Sequence, residues 1–240
     1  MRRFWVILFL ITGVVTWSMS QEVSKAPQPV VSYSKATTVT PEQPVYGGEK
    51  FPGGSRTEFD PATGKPVSLY LNPVWQCGEV VLGNGEKMVD CLLRYNIYAQ
   101  QMQFIRGGDT LAFADPAELD YLIFDGREFR YLPFLEKGVM QKGYFEVLAD
   151  GPCRLLLRRV IVHHVKDGDD TSEDKYFLEY EYYLEKEGET AKWVPLKKKE
   201  ILHRLEDHSD AIKAYIRDNG MHLNTCEDFK KVVEYYNSLN

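Results

Sequence analysis

At 240 residues and a net charge of −6, with 29 basic against 35 acidic side chains, the chain lacks the concentrated positive charge of nucleic-acid binders, which excludes nucleic acid as its partner. The length suits one domain of ordinary size with a sizeable core and a flexible leader. Its 15 Tyr and 12 Phe favour strands and large buried area, and so point to a β-rich body.

The N-terminus comes first in the chain and suggests an address. Arg2 and Arg3 are followed by an almost unbroken apolar run over residues 4–15, and Ser18 and Ser20 stand at −3 and −1 of a cut before Gln21. This is the layout of a cleavable secretory signal over residues 1–20. The run falls short of the roughly 20 apolar residues of a membrane-spanning helix, so no transmembrane span is expected after cleavage. No Cys follows the run, which argues against a bacterial lipid anchor. The expected localisation is exported: periplasmic, outer-membrane associated or secreted.

Residues 21–65 read as a flexible leader. They are rich in Pro and Gly (Pro27, Pro29, Pro41, Pro44, Gly47, Gly48, Pro52) and lack a sustained apolar periodicity. Such a segment cannot offset its ordering entropy by burial. The alternative is that part of it docks as an edge strand.

A single β-rich domain is expected over 66–240. Turn signals recur at Gly83-Asn84-Gly85, Gly107-Gly108-Asp109, Asp125-Gly126, Asp150-Gly151, Asp167-Gly168 and Glu187-Gly188. Between them, strands are predicted over 78–82, 87–98, 102–105, 110–113, 121–124, 128–132, 144–148, 154–165, 176–185 and 192–195. In the ninth of these, Tyr176, Leu178, Tyr180 and Tyr182 share one face, and Phe177, Glu179 and Glu181 the other, as in a half-buried antiparallel strand. Strands joined by short turns imply a meander rather than βαβ units.

Four cysteines lie beyond the signal: Cys77, Cys91, Cys153 and Cys226. Export permits disulfides, and four cysteines allow three full pairings. Cys77 and Cys91 flank Gly83-Asn84-Gly85 symmetrically. A three-residue loop there sets them opposite each other within bridging reach, whereas a two-residue Asn84-Gly85 turn pairs Cys77 with Leu92. Each Cys is otherwise a small buried apolar residue. No CxxC spacing occurs, which speaks against a zinc cluster or a thioredoxin-like site.

The C-terminal segment 200–240 switches to helical period. A short helix is predicted over 200–205. Ser209 is expected to cap a second over 210–218, with Ile212, Tyr215 and Ile216 on one face and Gly220 at its stop. Thr225 is expected to cap a third, with Asp228 completing a capping box, and Phe229, Val232, Val233, Tyr236 and Leu239 form its apolar stripe. The fold class is therefore α+β: a predominantly antiparallel β meander, a sheet or sandwich of hairpins, closed by two to three C-terminal helices.

Leu92-Leu93-Arg94-Tyr95-Asn96-Ile97-Tyr98, Met102-Gln103-Phe104-Ile105, Tyr144-Phe145-Glu146-Val147-Leu148 and the tail 229–239 resemble uncharacterised exported β-rich proteins of Bacteroidetes-type bacteria. The resemblance spans about residues 68–240. It implies a Gram-negative envelope setting and a β-rich body closed by a helical tail, and it carries no residue role.

No catalytic signature is found. His163 and His164 point to opposite faces of a strand, and His203 and His208 are five apart, an awkward spacing for one helix face. The loop 167–174 is strongly acidic, but its Gly comes too early for an EF-hand and Leu178 occupies the twelfth position. Asp90, Glu118, Asp120 and Glu146 are candidate carboxylates only in the sense that any carboxylate is. Lys197-Lys198-Lys199 offers positive charge to an anionic lipid or lipopolysaccharide, although a short run beside Glu200 is more often a solvated element end. No catalytic residue, cofactor or metal is assigned, and Cys77 and Cys91 form the only candidate special pair. The expectation is an exported envelope protein, a binding or accessory module for a protein or glycan partner. The alternative is a secreted hydrolase with dispersed carboxylate or His residues.

Overall fold

The turn residues close hairpins as their backbone freedom allows. Asp125 and Gly126 both take positive φ (53° and 69°), the mirror-image turn whose twist suits a two-residue hairpin. The computed structural model describes residues 31–36, 45–46, 49–50, 68–164 and 175–240. The segment 1–20, most of the leader and the acidic loop 167–174 lie outside the described residues.

The strands are β1 (Tyr33–Lys35), β2 (Val45–Tyr46), β3 (Glu49–Lys50), β4 (Gln76–Leu82), β5 (Lys87–Asn96), β6 (Gln101–Arg106), β7 (Asp109–Phe113), β8 (Leu119–Phe124), β9 (Arg127–Glu136), β10 (Val139–Ala149), β11 (Cys153–His164), β12 (Lys175–Lys186) and β13 (Lys192–Trp193). Helices α1 (Lys198–Arg204), α2 (Ser209–Asp218) and α3 (Cys226–Asn237) follow. Eleven strands form one sheet in the order β1-β7-β6-β5-β4-β8-β9-β10-β11-β12-β13, and β2 and β3 pair separately. Neighbouring strands are antiparallel throughout, so the fold is the expected meander closed by helices. It reverses once: after β7 the chain returns to pair β8 with the free edge of β4. Within the expected leader, Tyr33–Lys35 add to β7 as an edge strand.

The long strands β10, β11 and β12 turn one face to two covers. Tyr144, Leu178 and the half-buried Ile161 pack into the core of the first half with Leu93, Tyr95, Phe104, Phe124 and Phe129. Further along the same face, Ala149, Leu155 and Leu184 pack under Ile212, Ile216, Phe229, Val232 and Val233 of the helices. The helical stripes thus cover the sheet. On the opposite face, Phe134, Phe145, Leu156, Tyr183 and Ala191 form a third core, where a parallel bridge from Phe134 to Ala191 curls β13 back toward β9.

Several local expectations are corrected. Strand β9 runs on past the predicted 128–132 to Glu136, and β10 starts at Val139, ahead of the predicted 144–148, so that they meet at a turn at Lys137-Gly138, both at positive φ (48° and 82°). Pro133 falls inside this extension of β9. It sits opposite Lys142 in a stretch of β9 beyond the last pair with β8, where a missing N–H costs no ladder bond on that side. Ser209 makes no cap, because the 3₁₀ turn Glu206–His208 runs directly into α2 and leaves Ser209 helical. Thr225 does cap α3, accepting the Asp228 N–H at 3.1 Å. The reciprocal half of the box is diverted, since the Asp228 carboxylate accepts the N–H groups of His222 and Leu223, each at 3.2 Å.

The Cys77–Cys91 pairing is also overturned. All four cysteines are free. The register Val81↔Lys87 and Val80↔Met88 is that of a three-residue loop, and continued unbroken it would set Cys77 opposite Cys91. A β-bulge intervenes with Asp90 at φ 55°, and beyond it Cys77 faces Leu92 while Cys91 faces Gly78. The bulge flips the alternation so that Met88, Leu93 and Tyr95 all reach the same core. Cys91 follows them inward, and Cys77 is left in solvent.

Candidate functional site: the groove between β13 and α1

Strand β13 ends the sheet. Val194 continues its ladder by donating to the Tyr182 carbonyl at 2.8 Å and is buried under the helices. Alternation then turns Trp193 away from that core, and its side chain is 52% exposed at the sheet edge. Pro195 has no N–H with which to extend the ladder, and the chain turns into α1. Ile201 and Leu205, four apart, are fully buried and hold that helix down. This leaves Lys197, Glu200 and Arg204 along the flank of α1 that faces β13. Trp193, Val194, Pro195, Lys197, Glu200, His203 and Arg204 line an open groove of about 510 Å³.

The groove carries three basic side chains to one acid. Among the described residues, Lys197 makes no ion pair. His203 Nδ1 lies 3.4 Å from the Glu206 carboxylate, both side chains being largely exposed. At the rim, Lys192 bonds Glu189 at 2.6 Å and, with lesser help from Lys186 and Arg204, holds its carboxyl below the ordinary range.

The sequence candidates fall elsewhere, each with its own neighbour. Glu118 accepts Ser32 Oγ at 3.1 Å, and Asp120 pairs with Arg130 at 3.4 Å. Asp90 is the exposed bulge residue. Glu146 sits between the two covers, where it and Arg159 are each 8% exposed and form an ion pair at 2.6 Å. Arg127 stands 3.8 Å away, and Glu146 Oε2 accepts no aligned hydrogen bond. His203 and His208 do not share a site, since His208 meets Asn240 at 3.1 Å and the Tyr236 ring. His163 and His164 close β11, and their side chains lie outside the described residues. Among the described residues, no three His, Cys, Asp or Glu side chains gather as metal ligands, and no helix is long and apolar enough to cross a membrane.

Sequence reasoning passed over Trp193 and Arg204. The signal was there: an edge strand stopped by Pro195, with Val194 inward, must turn Trp193 outward, and a helix anchored by Ile201 and Leu205 sets Arg204 on the flank beside its buried face. What was missing was the adjacency of that strand edge and that helix flank. Compared with protein-family models, with curated proteins and with solved structures, the chain finds no match.

Proposed function

We propose that this is an exported envelope protein, a binding module that takes a glycan in the β13–α1 groove. One observation carries the reading: a half-exposed indole stands beside Lys197, His203 and Arg204 in an open groove. A flat aromatic face stacks against the apolar C–H face of a sugar ring, while polar side chains around it hydrogen-bond the hydroxyls. The groove's openness to solvent favours binding over chemistry that must exclude water. The basic and apolar layout of residues 1–20 supports the exported address. Mass spectrometry of protein expressed in a Gram-negative host tests that part, with an N-terminus at Gln21 expected and an intact Met1 refuting it.

Binding is tested by calorimetry against a panel of oligosaccharides with wild type and Trp193→Ala. Binding that disappears in the variant is expected. A panel with no binder, or binders indifferent to Trp193, would sink the proposal. Release of new reducing ends during incubation would instead favour the hydrolase alternative, with Glu200 and His203 the first residues to replace.

A further inference from the structure

Arg204 differs from every other described arginine. Arg127, Arg130, Arg154, Arg158, Arg159 and Arg217 each lie within 4 Å of a carboxylate. Arg94 is stacked between Tyr70 (3.9 Å) and Trp75 (4.2 Å), and Arg106 lies over Tyr33 at 5.6 Å. Arg204, among the described residues, has neither a carboxylate within that distance nor a ring beneath it. It lines the groove together with Lys197, which is also without an ion pair, in a protein whose net charge is −6. The other described arginines are each taken up by one of the fold's own carboxylates or aromatic rings, and the exception coincides with its exposed indole.

From this we infer that the groove selects sugars bearing an anionic substituent, a carboxylate or a phosphate, with Trp193 stacking on the ring and Arg204, aided by Lys197, receiving the charge. The inference rests on the glycan-binding reading of the same groove. A guanidinium offers the paired N–H geometry that matches carboxylate and phosphate oxygens, and a free one needs no internal partner displaced before it binds. Glu200 in the same wall disfavours a second negative charge nearby, so one anionic group per stacked ring suits the site better than a dense polyanion.

The test is calorimetry on the full chain with three probes: tetragalacturonate, its fully methyl-esterified neutral form, and a mannopentaose phosphate. An anionic probe is expected to bind about tenfold or more tighter than the neutral one, with the advantage shrinking as salt is raised. Arg204→Gln should abolish that advantage, so that the anionic and neutral probes bind the variant alike, and Arg204→Lys should restore only part of it, because a point charge lacks the fork. Which anionic probe gains more tells carboxylate from phosphate. Trp193-dependent binding that is equal for charged and neutral probes, and indifferent to Arg204→Gln, overturns this inference and leaves the glycan reading standing. Trp193→Ala without effect on any probe overturns both. Arg204 is half-exposed and unpaired, so its variants are expected to fold, which circular dichroism and an unchanged Tm verify.

Discussion

Asn237 holds Cys153 by both of its backbone groups. The Asn237 Oδ1 accepts the Cys153 N–H at 2.9 Å, and its Nδ2 donates to the Cys153 carbonyl at 2.8 Å and to that of Asp150 at 3.1 Å. A side chain at the end of α3 thereby mimics a strand edge at the β10–β11 turn. Gly151 leaves room for it, since a Cβ there would lie 2.6 Å from the amide nitrogen. Asn237→Ala is expected to destabilise the protein by about 2 kcal/mol, because buried groups lose their partners. Urea unfolding measures this, and a change under a few tenths of a kcal/mol would show the clamp to be incidental.

The thiols should label in an order set by burial. Cys77 is exposed, Cys91 and Cys226 are half-buried, and Cys153 is buried with its thiol pushed up to about 12 by desolvation. Alkylation under native conditions is expected at Cys77 first and at Cys153 only on unfolding. Peptide mapping of air-oxidised monomer should find no Cys77–Cys91 crosslink, and finding one would refute the bulged register.

Gly78→Ala should cost about 2 kcal/mol or more, because an added Cβ would lie 2.4 Å from the Ile123 carbonyl oxygen and 2.8 Å from side-chain carbons of Leu93 and Phe124. Thermal denaturation reads the effect. An unshifted Tm would mean that β4 and β8 are not so close there.

Glu146→Gln removes the charge that faces Arg159 between the two covers, and leaving a buried guanidinium uncompensated is expected to cost about 3 kcal/mol. The double variant E146L/R159M should recover most of that stability in chemical denaturation, since burying neither charge removes the penalty. Equal loss in single and double variants would contradict the ion pair's role.

Asp207 gives the fold an acid-sensitive contact. Burial alone would raise its pKa, but the hydrogen bonds from Lys186, at 2.8 Å, and from the Tyr236 hydroxyl outweigh it and hold the carboxyl below its ordinary value of 3.8. A carboxylate depressed in the folded state adds stability that is present above its unfolded pKa and is lost as pH falls through the folded one. Stability measured below pH ~4 should therefore fall more steeply in wild type than in Asp207→Asn. Parallel acid limbs would refute the contact.

What the sequence by itself determined is local. Period-two alternation and Asp-Gly or Gly-Gly turns mark strands and hairpins because side-chain direction and positive φ are properties of neighbouring residues. The Thr225 cap and the Phe229, Val232, Val233, Tyr236 stripe of α3 were legible for the same reason. Tertiary structure alone decided what depends on which strand lies beside which. The Asp90 bulge exists because Met88 and Leu93 must reach one core, and no local signal announces that demand. Pro133 is admissible only because β8 has already ended beside it. Asn237 meets Cys153 across 84 residues of chain. The groove follows the same logic: the outward turn of Trp193 and the flank position of Arg204 are written locally, but their meeting required β13 to end the sheet where Ile201 and Leu205 pin α1 against it.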